Sequence, residues 1–213
     1  MTSRGMRFNA CLSDINGELI TAYRAVKDNV KEVIRLLQTY ETGYKKYRPY
    51  SKEQQGYYFQ LRNARNKIQS SDVEIAARLI ALNKTCFNGL YRVNGMGEFN
   101  VPPGKYKNPL ICDSSNLENV SDALARATIF ADDYRNVTQN AQKGDFIYLD
   151  PPYQPLNTSY FTAYTKDGFG REDQSQLANV YRKLADKGCM VLLSNSDTPF
   201  RAQYSWFKEA KGD

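Results

Sequence analysis

Residues 145–153 read Asp-Phe-Ile-Tyr-Leu-Asp-Pro-Pro-Tyr, an apolar run that ends at an acid and two consecutive prolines. A short apolar run bounded by turn signals reads as a strand covered on both faces, the pattern of a parallel sheet. Proline has no amide hydrogen and disfavours helix in the residue before it, so the chain must leave the sheet at Pro151 in a rigid extended turn. Downstream, a helix from about Arg171 to Lys187 is followed by Gly188 and a second apolar strand, Cys189–Leu193. Upstream, residues 7–13 read as a strand ending at Asp14, and Asn16 or Asp14 can cap a helix from about Gly17 to Tyr40. Residues 116–126 read as helix, Ala127–Phe130 as strand, and Tyr134–Ala141 as helix. Strands alternating with helices imply an α/β protein with a parallel sheet and ligands at the carboxyl ends of its strands. Asp14, Asp133 and Asp150 all follow such ends.

The rhythm is interrupted once. It breaks around Gly43 to Gly56, where a second domain is expected to begin. A helix over 71–83 follows, capped by Ser70 or Ser71, and then Asn94-Gly95-Met96-Gly97 separates Leu90–Val93 from Glu98–Val101 as a hairpin turn. Residues 101–109 read as loop, and the α/β pattern resumes after Pro109. Charge follows the same boundary. Residues 42–108 hold 12 basic and 4 acidic side chains, a net of +8, whereas the rest of the chain has 17 and 19, a net of −2. The interrupted stretch also carries ten aromatics, Tyr57, Tyr58 and Phe59 among them. Basic residues interleaved with aromatics suit a polyanion whose bases can be stacked upon. They equally suit a solvated lysine-rich face over an aromatic core.

Several classes of chemistry are excluded. The 213 residues include no histidine, which removes Ser-His-Asp and Cys-His nucleophiles and every His-liganded metal site. The four cysteines stand singly, against zinc ribbons and disulfide frameworks and in keeping with a reducing cytoplasm. No run approaches the ~18 apolar residues that a membrane span needs. Neither a metal nor a membrane partner is expected.

The turn at Asp150 has chemistry of its own. The Asp150 carboxylate and the Pro151 carbonyl can face one point as hydrogen-bond acceptors, which suits an amino group with two N–H donors. Tyr153 beside them offers a flat face, so the turn can bind an exocyclic amine on a planar base. The same four residues also suit a proline-rich surface turn with a capping acid.

Asp150-Pro151-Pro152-Tyr153 resembles the D-P-P-Y motif of amino-methylating DNA methyltransferases. Phe87-Asn88-Gly89-Leu90-Tyr91-Arg92, Glu98-Phe99-Asn100-Val101-Pro102 and Gly104-Lys105-Tyr106 resemble segments of the DNA adenine methylase (Dam-type, D12 class) family. So do Ser13-Asp14-Ile15-Asn16, Phe161-Thr162-Ala163-Tyr164 and Leu193-Ser194-Asn195-Ser196-Asp197-Thr198, all in family order and spread over nearly the whole chain. The resemblance implies a Rossmann-like, S-adenosylmethionine-dependent methyltransferase sheet formed by residues 1–41 and 110–213. A mainly helical target-recognition domain with a β-hairpin would be inserted at 42–109. The implied activity is methylation of adenine N6 in double-stranded DNA after base flipping, by a monomer or weak dimer in a bacterial or phage-infected cell.

Site residues carry over by position. Asp150, Pro151, Pro152 and Tyr153 would form the catalytic corner. Asp14 matches the acid that binds the cofactor's ribose hydroxyls, and Asp133 with Tyr134 matches the pair that meets its adenine. Tyr160 and Phe161 fall in the segment that closes over the cofactor. Read without the family, Asp14 is a helix cap and Asp133 a solvated loop acid. Arg92 matches the major-groove arginine able to pair with guanine O6 and N7. Leu90, Pro102 and Tyr106 match its base-contacting neighbours, and Phe87 and Asn88 match the pair that wedges into the space left by the flipped base. Lys84, Lys105 and Lys107 are expected on phosphates. The readers match GATC-type members, so GATC is the expected site.

Two departures qualify this. The family's Lys-Trp-x-Gly-Gly-Lys-like opening and its Phe-x-Gly-x-Gly cofactor loop do not occur before Asp14, and the chain stops soon after the fifth family strand. On this reading the chain is truncated at both ends, lacks a cofactor wall and a middle strand, and binds cofactor poorly. The alternative is a non-catalytic DNA-binding remnant. A third reading, cytosine-N4 or RNA methylation, is disfavoured by Asp rather than Ser at position 150.

Overall fold

The computed structural model describes residues 9–67, 70–152 and 169–195. The chain divides into two compact units, one up to Asp132 and one from Asp133 onward.

In the first unit, β1 (Ala10–Asp14) pairs in parallel with β2 (Ala127–Ala131), Asp14 lying opposite Ala131. Helix α1 (Gly17–Lys45) leaves β1 through a tight turn. Asn16 is its cap, its side chain accepting the amides of Glu18 and Leu19 at 3.1 and 3.2 Å. The Asp14 carboxylate accepts the Asn16 amide at 2.7 Å and so holds the cap in place. Within α1, Asn29 leaves helical geometry and kinks the helix. The helix also runs five residues beyond Tyr40, through Gly43. A Cβ at Gly43 would lie 2.3 Å from the Tyr57 hydroxyl, so the glycine serves close packing rather than helix termination.

The expected break holds an unforeseen helix, α2 (Lys52–Lys67). Its buried side chains are Gln54, Tyr58 and Leu61, a helical spacing in which a glutamine takes an apolar slot. Gln54 is satisfied there by the Tyr50 amide at 2.9 Å. Helix α3 (Asp72–Thr85) begins with a capping box, Ser71 and Glu74 satisfying each other's backbone amides. Small residues Ala76, Ala77 and Ala81 are fully buried and pack with Val33 and Leu37 of α1. Helix α4 (Ser114–Leu124), capped by Asp113, returns the chain to β2. Arg24 and Lys27 of α1 donate to the Ile129 and Ala127 carbonyls, satisfying backbone acceptors of a strand that has one neighbour among the described residues.

The second unit opens with a 3-10 turn (Tyr134–Asn136) and the single-turn helix α5 (Val137–Asn140), in place of one continuous helix. Strand β3 (Phe146–Leu149) pairs in parallel with β4 (Met190–Leu193), and helix α6 (Arg171–Asp186) connects back to β4. Leu177, Val180 and Leu184 of α6 form the core with Leu149, Ala141 and Cys189. Among the described residues, one face of this strand pair is packed. Phe146, Tyr148, Met190 and Leu192 on the other are 53–65% exposed. The architecture is thus mixed α/β, with the described strands in two parallel pairs. Among the described residues no helix is long and apolar enough to cross a membrane.

Candidate functional site

Leu149 is buried at the end of β3 and anchors the strand; Asp150, the next residue, is exposed. The register that sets Leu149 opposite Leu193 brings Asp150 beside Ser194. Ser194 donates its amide to the Leu149 carbonyl at 3.1 Å and its hydroxyl to the Asp150 carboxylate. The Tyr148 hydroxyl reaches Ser194 Oγ at 3.3 Å. Two residues on, the Pro152 carbonyl accepts from Gln174 Nε2 at 3.5 Å, and Gln174 Oε1 accepts from Asn195 Nδ2 at 3.0 Å. The diproline corner is therefore braced at both ends, by Ser194 on its acid and by Gln174 on its second proline. Tyr153, Tyr160 and Phe161, and the segments 161–164 and 196–198, lie outside the described residues.

Neither brace was foreseen. Ser194 becomes a neighbour only through long-range strand pairing. Gln174 does carry a signal, being a polar residue on the stripe of α6 that buries Leu177 and Leu184, and it is itself 6% exposed. A buried amide on an apolar stripe must find partners.

Also in this unit, Asp133 caps the 3-10 turn and takes hydrogen bonds from the Arg135 amide and from its Nε at 2.9 and 2.7 Å. Hydrogen bonding from the Arg135 side chain holds the Asp133 carboxyl below its usual range, keeping it ionised. Tyr134 is half-buried, its ring 5.8 Å from that of Phe169 and its hydroxyl donating to the Asp173 carbonyl at 3.1 Å. In the first unit, Asp14 ends β1 half-buried, as expected of an acid at the carboxyl end of a parallel strand. The capping role itself belongs to Asn16.

The expected DNA readers occupy a loop braced by its own backbone. Antiparallel bridges join Cys86 to Pro103 and Val93 to Phe99, a looser arrangement than two regular strands. The Phe87 amide donates to the Pro102 carbonyl at 2.9 Å, placing those two residues side by side. Phe87 begins a 3-10 turn in which Asn88 adopts a left-handed conformation, φ 53°. Phe87 and Leu90 are 49% and 47% exposed, large apolar side chains left in water beside Asn88. Arg92 is exposed and held by Asn100, which accepts from its Nε at 2.7 Å. Asn100 is a further residue that sequence reading missed. Pro102, Lys84, Lys105 and Lys107 are exposed, and Tyr106 is half-buried.

A Cβ at Gly104 would sit 2.6 Å from the Cys86 carbonyl and 2.3 Å from the Tyr106 ring. Gly104→Val is accordingly expected to separate residues 102–104 from 85–87 and, on the reading of this loop as a DNA reader, to weaken duplex binding with little loss of helix content. Anisotropy with labelled duplex, beside circular dichroism, checks this; unchanged affinity would show that the close approach is dispensable.

Among the described residues no group of three or more metal-ligating side chains exists. Residues 7–212 match the family described as D12 class N6 adenine-specific DNA methyltransferase. The chain is 44% identical over 188 residues to the type II methyltransferase M.MjaIII of Methanocaldococcus jannaschii, covering 87% of this chain and 64% of that protein. It is 43% identical over 196 residues to the type II methyltransferase M1.LlaDCHI of Lactococcus lactis subsp. cremoris, covering 89% and 66%. It thus spans just under two thirds of the length of these two relatives. With the DNA adenine methylase of Escherichia coli K12 the identity is 34%, over 94% of this chain and 68% of that enzyme. A match over nearly the whole sequence makes this chain a member of the D12 class N6 adenine-specific DNA methyltransferase family.

Proposed function

We propose that this chain transfers a methyl group from S-adenosylmethionine to N6 of a flipped adenine in double-stranded DNA, with GATC as the target. The observation that carries this reading is the braced corner, where Asp150 leaves β3 with its carboxylate held by Ser194. An adenine amine is a poor nucleophile because its lone pair is delocalised into the ring. Acceptors on its N–H groups, the Asp150 carboxylate and the Pro151 carbonyl, favour a more tetrahedral nitrogen as positive charge develops there. Holding the carboxylate in place beforehand avoids reorganisation during the reaction. Tyr153 stacking would offset part of the few kcal/mol that flipping a base costs.

Each unit offers side chains of the kind that suit one part of the cofactor. Asp14 at a strand end is suited to ribose hydroxyls, and the half-buried Tyr134 ring beside the ionised Asp133 is suited to a nucleobase. When bound, S-adenosylmethionine would supply an electrophilic sulfonium methyl. Residues 42–109 are read as the target-recognition domain. Within it, Arg92 would read guanine, Leu90, Pro102 and Tyr106 would meet neighbouring bases, and Phe87 and Asn88 would fill the gap left by the flipped base. Lys84, Lys105 and Lys107 would meet phosphates.

One observation favours the second reading, a non-catalytic DNA-binding remnant. The Asp133 carboxylate is engaged by Arg135, which a nucleoside would have to share or displace. Thermal-shift titration separates the two. The catalytic reading expects saturable stabilisation by S-adenosylmethionine, about 2.7 kcal/mol at a hundredfold excess over Kd. Stabilisation by duplex DNA alone would favour the remnant.

A further inference from the structure

The hairpin that carries Arg92 is gripped on its inner side by a charged cluster that the activity does not use directly. Arg65 of α2 directs Nε and Nη2 at the two carboxylate oxygens of Glu18, at 3.0 and 2.7 Å. Its remaining nitrogen, Nη1, donates to the Gly97 carbonyl at 3.1 Å. The Tyr91 hydroxyl donates to Glu18 Oε2 at 3.0 Å. Asn66 pairs with the Phe99 backbone, accepting its amide at 3.1 Å and donating to its carbonyl at 3.3 Å. The Tyr91 and Phe99 rings meet edge to face at 5.9 Å.

Side chains alternate along an extended segment. Tyr91 and Phe99 face the cluster, while their neighbours Arg92 and Asn100 face outward and bond to each other. One edge of the hairpin is thus fastened one residue from the arginine, at Tyr91, and the other one residue from its partner Asn100, at Phe99. The ion pair is well shielded, with side-chain exposures of 13% for Arg65 and 15% for Glu18, so salt screens it less than a surface pair. A shielded ion pair is weak evidence for net stability and is better attested as a device that fixes geometry. Burial and then the Glu18 carboxylate hold the Tyr91 phenol above its usual range, so it remains a donor.

We propose that Glu18, Arg65 and Tyr91 are positioning residues that set the placement of the Arg92 guanidinium and thereby determine target discrimination. The inference rests on the reading of Arg92 as the guanine reader. It extends that reading to the start of α1, since Glu18 lies four residues beyond Asp14. Target recognition and the strand end assigned to the cofactor are then fastened by one cluster.

The test is a discrimination ratio. Anisotropy with the full chain measures affinity for a GATC duplex and for a duplex with its guanine replaced, well below each variant's unfolding temperature. Tyr91→Phe and Glu18→Gln are expected to lower the ratio about tenfold, part of what one arginine–guanine pair supplies. Affinity for random-sequence DNA and its salt slope should stay at wild-type values. In an Arg92→Ala background, Tyr91→Phe should change the ratio no further, whereas mere loosening of the fold would weaken all duplexes alike. Tyr91→Phe removes one oxygen, so it serves where Glu18→Gln fails to fold. A wild-type ratio in folded Tyr91→Phe, with Arg92→Ala having lost it, overturns the inference alone. An unchanged ratio in Arg92→Ala overturns the assignment of Arg92 and the inference with it.

Discussion

Asp150→Ala is expected to eliminate methyl transfer, lowering the rate by at least about 10²–10³-fold, while duplex affinity stays at the wild-type value. The magnitude is that of removing one preorganised hydrogen-bonding group from the place where charge develops. Two features argue that the loss falls on the rate. Asp150 is exposed at the end of β3 and contributes no packing to the core beneath it, which is built from Leu149, Leu177, Val180 and Leu184. Its carboxylate is held by Ser194, whose own amide bond to the Leu149 carbonyl survives the substitution. The corner should therefore keep its shape and lose only its acceptor. Methyl incorporation measured beside anisotropy on the same duplex checks this. Equal losses of rate and affinity would place Asp150 in folding or DNA binding instead.

Arg92→Ala is expected to relax discrimination at one guanine by ~1–3 kcal/mol, roughly 5–150-fold, while random-sequence binding falls only slightly. The guanidinium is already tied to Asn100 through Nε, so part of its rotamer freedom is spent before DNA arrives. Lys105→Ala makes the useful contrast. A phosphate contact should weaken every duplex alike and reduce the salt slope by about one. If Arg92→Ala behaves like Lys105→Ala, Arg92 is a backbone contact and not a reader.

The alternation of strands with helices was legible because β2, β3 and β4 are compact apolar runs and α1, α3 and α4 are capped by the local residues Asn16, Ser71 and Asp113. What escaped depends on partners far away in sequence. Gly43 reads as a breaker until Tyr57 is known to pack across it. Helix α2 is hidden by Gln54 in an apolar slot, where the Tyr50 amide satisfies it. The hairpin was legible from Asn94 and its glycines, but its fastening by Arg65 and Asn66 from outside the Val93–Phe99 bridge was not. At the candidate site the residue types were legible from the motif, but Ser194 against Asp150 follows from the register of β3 on β4. Arg135 on Asp133 is a different case, two residues distant and within reach of a local reading.

The most direct test is the nucleoside content of the product. A GATC duplex incubated with the chain and S-adenosylmethionine is digested and its nucleosides resolved by mass spectrometry. N6-methyladenine, absent from a duplex whose target adenine is replaced, is the predicted result. Bound but unmodified DNA, or methyl groups found on cytosine, would contradict the account.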